Sequence, residues 1–314
     1  MKNIALVLSS GGARGLAQIG VIEELERRNF HITSLSGSSI GSVIGGFYAA
    51  GKLNEYKEWI KTLDKLDVFK LMDFTISKSG VLKGDRLFNE LHKILGDIRI
   101  EDLKIPLAIS ATDLINKQEV VFKSGNLLQA MRASVSVPTL FLPLEFEGKE
   151  LLDGGIINPI PLSNIERTKN DLLVVVNLNS RKKYISKTLP ISNSTLERFE
   201  KLIEPLRQRW QSIRPVQVSD NQKFGYFDIM NRSFDLMQDK LSDCILDKYK
   251  PDIVVEISRE SAGILEFYKA EELINEGKSA FKEAFAAYKK TKTHSNSFDS
   301  SNKTVQNFEN QNIY

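Results

Sequence analysis

The first fifty or so residues constrain the fold more than anything else in this 314-residue chain. Ile4-Ala5-Leu6-Val7-Leu8 is a continuous apolar run, as expected of a central parallel strand covered on both faces. Glycines follow, and Leu16, Ile19, Val21, Ile22 and Leu25 then recur at helical spacing over 16–28. A second strand near 32–35 leads into Gly37-Ser38-Ser39-Ile40-Gly41, after which Ile40, Val43, Ile44 and Phe47 resume a helical period. Strand, helix, strand, helix is the signature of an α/β sheet.

Both strand-to-helix junctions carry chemistry. Gly37-x-Ser39-x-Gly41 fits a nucleophile elbow, where a serine on a strained turn needs small neighbours because the flanking chains approach closely. The turn also opens a helix, whose unpaired N–H groups and dipole favour developing negative charge. The competing reading is a glycine-rich turn in a cofactor-binding sheet. Ser10-Gly11-Gly12-Ala13-Arg14-Gly15 is the second junction, and its glycines let backbone N–H groups converge on one point. A dinucleotide site would need G-x-G-x-x-G and an acidic residue ending the second strand. Here the spacing differs and the strand ends in Leu35-Ser36-Gly37, so an oxyanion hole is the better reading. Arg14 either braces this loop or is a solvated residue at a helix start.

An activated serine usually needs a histidine held by an acid. The chain has three, and none follows a later sheet strand: His31 precedes the elbow strand, His92 sits in a helical pattern, and His294 is near the end. A carboxylate is the remaining candidate. Asp153-Gly154-Gly155 follows a strand-like Glu150-Leu151-Leu152, and a buried aspartate beside a hydroxyl can take its proton if burial raises its pKa. The plain alternative is an Asp-Gly turn.

Composition excludes several classes. Hydrophobic residues are 41% and charged residues 26%, which rules out a wholly disordered chain, a collagen and a multi-span membrane protein. A net charge of +3 is too weak to argue for nucleic acid as a partner. One cysteine, Cys244, allows neither a disulfide framework nor a thiolate zinc site; beside Leu241 and Ile245 in a helical pattern it reads as core. The apolar start is too short and too soon broken by Gly11-Gly12 for a signal peptide, and no run reaches the roughly 18 to 20 residues that span a bilayer, so cytoplasm is the expected location.

Further along, residues 53–96 read as mainly helical. Strands are expected at 106–110, 120–123, 140–146, 150–152, 172–178 and 253–257, with a hairpin at 146–149 and helices at 127–132, 224–250 and 267–289. Residues 1–289 are expected to form one domain with a basic helical insertion or cap at 181–223. There Phe199, Leu202, Ile203, Leu206, Trp210 and Ile213 recur at helical spacing, and the segment either packs on the core or could dock peripherally on anionic lipid. Residues 290–314 are Ser/Asn/Lys/Gln-rich and are expected to be a disordered polar tail.

Taken together, the Ser10–Gly15 cluster, Gly37–Gly41 and Asp153–Gly155 resemble the patatin-like phospholipase family, in its bacterial branch related to neuropathy target esterase. Ala111-Thr112-Asp113, Arg132-Ala133-Ser134 and Asn158-Pro159-Ile160-Pro161 extend the likeness over about residues 3–178, and it returns more weakly at 233–257. The resemblance implies a three-layer α/β/α fold with a mainly parallel sheet and a lipid acyl hydrolase needing no cofactor or metal. By motif match it implies Ser39 as nucleophile, Asp153 as base, and Gly11, Gly12, Ala13 and Arg14 as the oxyanion loop through their N–H groups. The implied substrate is a phospholipid or lysophospholipid. One departure is Ser10, where the family's loop often has the first of three glycines. A non-catalytic lipid-binding or regulatory protein on the same fold is the alternative, and a nucleotide-binding dehydrogenase a more distant one.

Overall fold

A computed structural model describes residues 2–73, 84–138, 140–184 and 226–309. Among these, eight strands form one sheet in the order β5-β6-β3-β2-β1-β7-β8, with β4 also paired to β3. β1 (Lys2–Leu8), β2 (Phe30–Ser38), β3 (Leu107–Asp113), β7 (Leu172–Ser180) and β8 (Ile253–Ser258) pair in parallel. β4 (Gln118–Phe122), β5 (Leu144–Phe146) and β6 (Lys149–Asp153) add antiparallel pairs on the β3 side.

The continuous apolar run of β1 divides its side chains between two cores, because neighbours on a strand face opposite ways. Ile4, Leu6 and Leu8 enter the larger core with α1 (Leu16–Arg27), α2 (Ile40–Ala49) and α8 (Ala270–Glu309). Ala5 and Val7 join Leu173 and Val175 on the other face, under Ile245, Leu246 and Tyr249 of α7 (Tyr226–Tyr249). The result is a three-layer α/β/α arrangement. α1 and α8 touch backbone to backbone: a Cβ on Gly277 would lie 1.9 Å from the Ala17 carbonyl oxygen, so only glycine allows that approach.

The helical stretch after α2 resolves into α3 (Leu53–Thr62), α4 (Lys65–Leu71) and α5 (Asp85–Leu95), and α6 (Leu127–Ser134) precedes the β5–β6 hairpin. That hairpin turns at Glu147 and Gly148, both with positive φ (49° and 72°), the two-residue geometry whose twist matches the strands. The strand expected over 140–146 is shortened to Leu144–Phe146, since Pro143 has no N–H to donate to a ladder.

Cys244 corrects a sequence expectation: it is exposed, not core. The inner side of α7 carries Gln238, Ser242 and Ile245, which places Cys244 on the outer side with the partly exposed Leu241. A helical period alone does not say which stripe faces inward. α8 continues to Glu309, through much of the segment read as a tail, and no glycine or proline interrupts it after Gly277. Most of the basic stretch 181–223 lies outside the described residues. No helix among the described residues is long and apolar enough to cross a membrane.

Candidate active site

Ser39 stands at the junction of β2 and α2 with φ 54° and ψ −127°, a conformation that costs a non-glycine residue of order 1–3 kcal/mol. Its surroundings hold it there. The Ser39 N–H donates to Ser134 Oγ (2.8 Å), and the Ser134 hydroxyl donates to the Ser110 carbonyl (2.7 Å). The flanking glycines are a steric necessity: a Cβ on Gly37 would meet the Gly41 carbonyl oxygen at 2.5 Å, and one on Gly41 the Leu8 carbonyl oxygen at 2.2 Å. The tight elbow brings Ser39 to the first turn of α2, at the positive end of its dipole.

Asp153 ends β6, which the hairpin sets beside β3. The Ser39 hydroxyl donates to Asp153 Oδ2 at 2.5 Å, and the Gly155 N–H donates to Oδ1 at 2.7 Å. The backbone of Asp153 is tied at both ends: its N–H donates to the Ser136 carbonyl (3.0 Å), and its carbonyl accepts from the Thr112 hydroxyl (2.9 Å). Burial pushes the carboxyl up from 3.8 to about 7, against the opposing pull of the Ser39 and Gly155 hydrogen bonds. His31 is exposed at the far end of β2, and His92 is exposed on α5.

The glycine cluster lies between β1 and α1 as a single 3-10 turn, Gly12–Gly15, with Gly12 at φ 57°. Ser10 donates its N–H to the Pro159 carbonyl (2.9 Å) and Ala13 to the Ile264 carbonyl (3.0 Å). Arg14's N–H lies inside the 3-10 turn, whose i→i−3 pattern uses it. Gly11 and Gly12 are left with N–H groups that donate to no other described residue. Of the four oxyanion candidates, then, two present free donors in this conformation. Arg14 is buried and braces the loop: its guanidinium donates to the Arg259 carbonyl (2.9 Å) and to Asn179 Oδ1 (3.3 Å), while Asn179 Nδ2 donates to the Ser10 carbonyl (3.2 Å). Burial, then the nearby Arg259 charge, lower Arg14 to about 10.

Gly12 and Ser39 line a partly open cavity. Its walls are apolar: Val43 of α2, Trp59 and Ile60 of α3, Leu87 and Leu91 of α5, and Phe141 among them. Ile264 and Leu265, from the loop that receives Ala13's N–H, complete the mouth.

A family model described as patatin-like phospholipase matches residues 6–164. An uncharacterised NTE family protein of Mycobacterium tuberculosis is 32% identical, and the alignment covers 91% of this chain and 92% of that one. The chain belongs to the patatin-like phospholipase family. A second relative, the lysophospholipase NTE1 of Saccharomyces cerevisiae, is 30% identical over 185 residues, 56% of this chain and 11% of that protein. Among solved structures, VipD from Legionella pneumophila aligns at TM-score 0.43 and 13% identity over 91% of this chain and 67% of that one.

The patatin-like match takes in the glycine cluster, the elbow and Asp153. It stops before the residues that brace them from the second half of the chain: Asn179, Gln238, Arg259 and Ile264. No short motif marks those four. Ser134 did carry a signal, inside Arg132-Ala133-Ser134, but its contact with the Ser39 N–H is invisible without coordinates. The cavity was likewise hidden, since helical periodicity in α3 to α5 reports burial and not a void.

Proposed function

We propose that this chain is a serine acyl hydrolase that cleaves carboxylic esters of lipids, of phospholipase A or lysophospholipase type, through a Ser39–Asp153 dyad. The observation that carries this reading is the 2.5 Å bond from the Ser39 hydroxyl to a buried carboxylate, at the mouth of an apolar cavity. A lipid supplies what such a site asks for: one ester carbonyl and an apolar chain. The family, and a relative named as a lysophospholipase, support the same substrate class.

The chemistry follows from the geometry. Ser39 Oγ forms a bond to the acyl carbon while its proton passes to Asp153 Oδ2. The carbonyl π electrons move onto oxygen, facing the Gly11 and Gly12 N–H groups. Collapse restores the C=O, breaks the bond to the alcohol oxygen, and returns the proton from Asp153 to that oxygen. Water then repeats the sequence on the acyl-enzyme, with Asp153 taking a proton from water and handing it to Ser39 as the fatty acid leaves. A carboxylate near pH 7 suits this double role, since a base works best with a pKa close to the working pH.

Fluorophosphonate labelling tests the dyad against a non-catalytic lipid binder. Wild type should label at Ser39 and turn over lysophospholipid vesicles. Ser39→Ala should lose labelling and at least about 10,000-fold in turnover. Turnover unchanged in Ser39→Ala would remove the proposal.

A further inference from the structure

Gln238 of α7 reaches into the site from the opposite layer of the fold. It is buried, at 7% exposure, and its amide nitrogen donates to the Gly155 carbonyl (3.0 Å) and approaches Ser10 Oγ (3.3 Å). The Gly155 carbonyl can only accept, which fixes the amide group with its NH2 end toward the site. The three groups are in close contact: a Cβ on Gly155 would lie 2.7 Å from Gln238 Nε2 and 2.8 Å from Ser10 Oγ. One side chain thus spans both halves of the machinery, the turn that carries the base and the loop that precedes Gly11 and Gly12.

We propose that Gln238 is a positioning residue, which holds the Asp153–Gly155 turn and the Ser10–Gly12 loop in register for acyl transfer. This rests on the Ser39–Asp153 reading above. The route to the chemistry is short. Gln238 restrains Gly155, whose N–H donates to Asp153 Oδ1 and so turns Oδ2 toward Ser39. On its other side it meets the hydroxyl that stands where the family's loop often has a first glycine. Ser10 gives the loop a side chain for Gln238 to hold, so the departure from three glycines has a partner.

A purely structural role predicts loss of folded protein. A positioning role predicts loss of kcat in protein that stays folded, together with a moved pH profile. The influences on Asp153 are its burial, the Ser39 hydroxyl and the Gly155 N–H, with no charged side chain among the described residues contributing. Loosening Gly155 weakens a bond made to the ionised carboxylate, and so raises the pH at which Asp153 becomes a base.

The test measures kcat, KM and the pH profile of lysophospholipid hydrolysis, with melting curves, for Gln238→Ala, Gln238→Glu and Met237→Ala. Gln238→Glu keeps the shape and loses both donated bonds; Met237 is the exposed neighbour on α7. Expected are a kcat loss of about 10- to 100-fold in both Gln238 variants, KM within about threefold, and an acid limb displaced to higher pH. Met237→Ala should match wild type. The inference is overturned if Gln238→Glu keeps wild-type kcat and pH profile, or if Met237→Ala loses as much as the Gln238 variants. Ser39→Ala, run alongside, separates the two levels: its survival would sink the dyad, whereas a dead Ser39→Ala beside a normal Gln238→Ala would sink this inference alone.

Discussion

Asp153→Asn should stabilise the protein at alkaline pH while abolishing its activity, and the pH-dependent stability loss of wild type should level off at the pH where wild type becomes fully active. The carboxyl is held at about 7 against 3.8 for the unfolded chain, mainly by burial. A group whose folded pKa is raised favours the native state while it carries its proton there. That contribution is fully present below the unfolded value and is lost progressively as pH rises to and through the folded value. Each unit of difference corresponds to about 1.36 kcal/mol, so the ionised carboxylate disfavours folding by about 4 kcal/mol above pH 7 or so. Between about pH 5 and about pH 8, wild type should lose roughly 2.5 kcal/mol through this one group. The substituted amide would keep the shape, accept from the Gly155 N–H and donate to Ser39 Oγ, yet carry no titrating proton. Urea unfolding of both proteins across this range measures the difference. The variant should gain on wild type by roughly 2.5 kcal/mol from acid to alkaline pH, a melting shift of some 5–10 °C at about 2–4 °C per kcal/mol. The kcat/KM of wild type should rise through a limb near pH 7, because only the ionised form accepts the Ser39 proton. Parallel stability curves for the two proteins, or a limb near pH 4, would refute the claim that burial sets this base.

Two further outcomes follow from the elbow and the cavity. Ser134→Ala leaves the Ser39 N–H and the Ser110 carbonyl without their shared hydroxyl; stability should fall by about 1–3 kcal/mol and kcat by about tenfold, read from melts and steady-state kinetics. Val43→Phe places extra volume in the cavity wall beside Ile40; hydrolysis of long-chain p-nitrophenyl esters should drop about tenfold more than that of the acetate, and equal losses would remove the cavity as the acyl site.

What the sequence made legible were its local steric demands. Gly37 and Gly41 flank Ser39 because neighbouring backbone sits where a Cβ would go, and that demand appears as a five-residue spacing. Asp153 was legible for a similar reason, as a carboxylate before two glycines at a strand end. Groups that reach the site from a distance left no such trace. Asn179 and Arg259 hold Arg14 across separations of 165 and 245 residues, and Gln238 meets Ser10 across 228. A single polar residue at such a distance looks like any other buried amide or surface charge. Cys244 shows the same limit on a helix: the period of α7 was readable, its inward face was not.

The scarcity of histidine connects these points. An imidazole brings a pKa near neutrality with it, whereas an exposed carboxylate is a weak base about three units below. If Asp153 is the base, as proposed, the environment supplies the difference. Were Asp153 wet, it would be ionised but too weak to draw a proton from a serine. Were it equally buried without the Ser39 and Gly155 bonds, both of which favour ionisation, its pKa would climb further and the base would stay protonated at neutral pH. A value of about 7 needs burial and two well-placed donors together. Ser39, whose hydroxyl donates to the buried Asp153, also lines the apolar cavity, so under the proposed reading the acyl carbon would meet the dyad where apolar wall gives way to buried carboxylate.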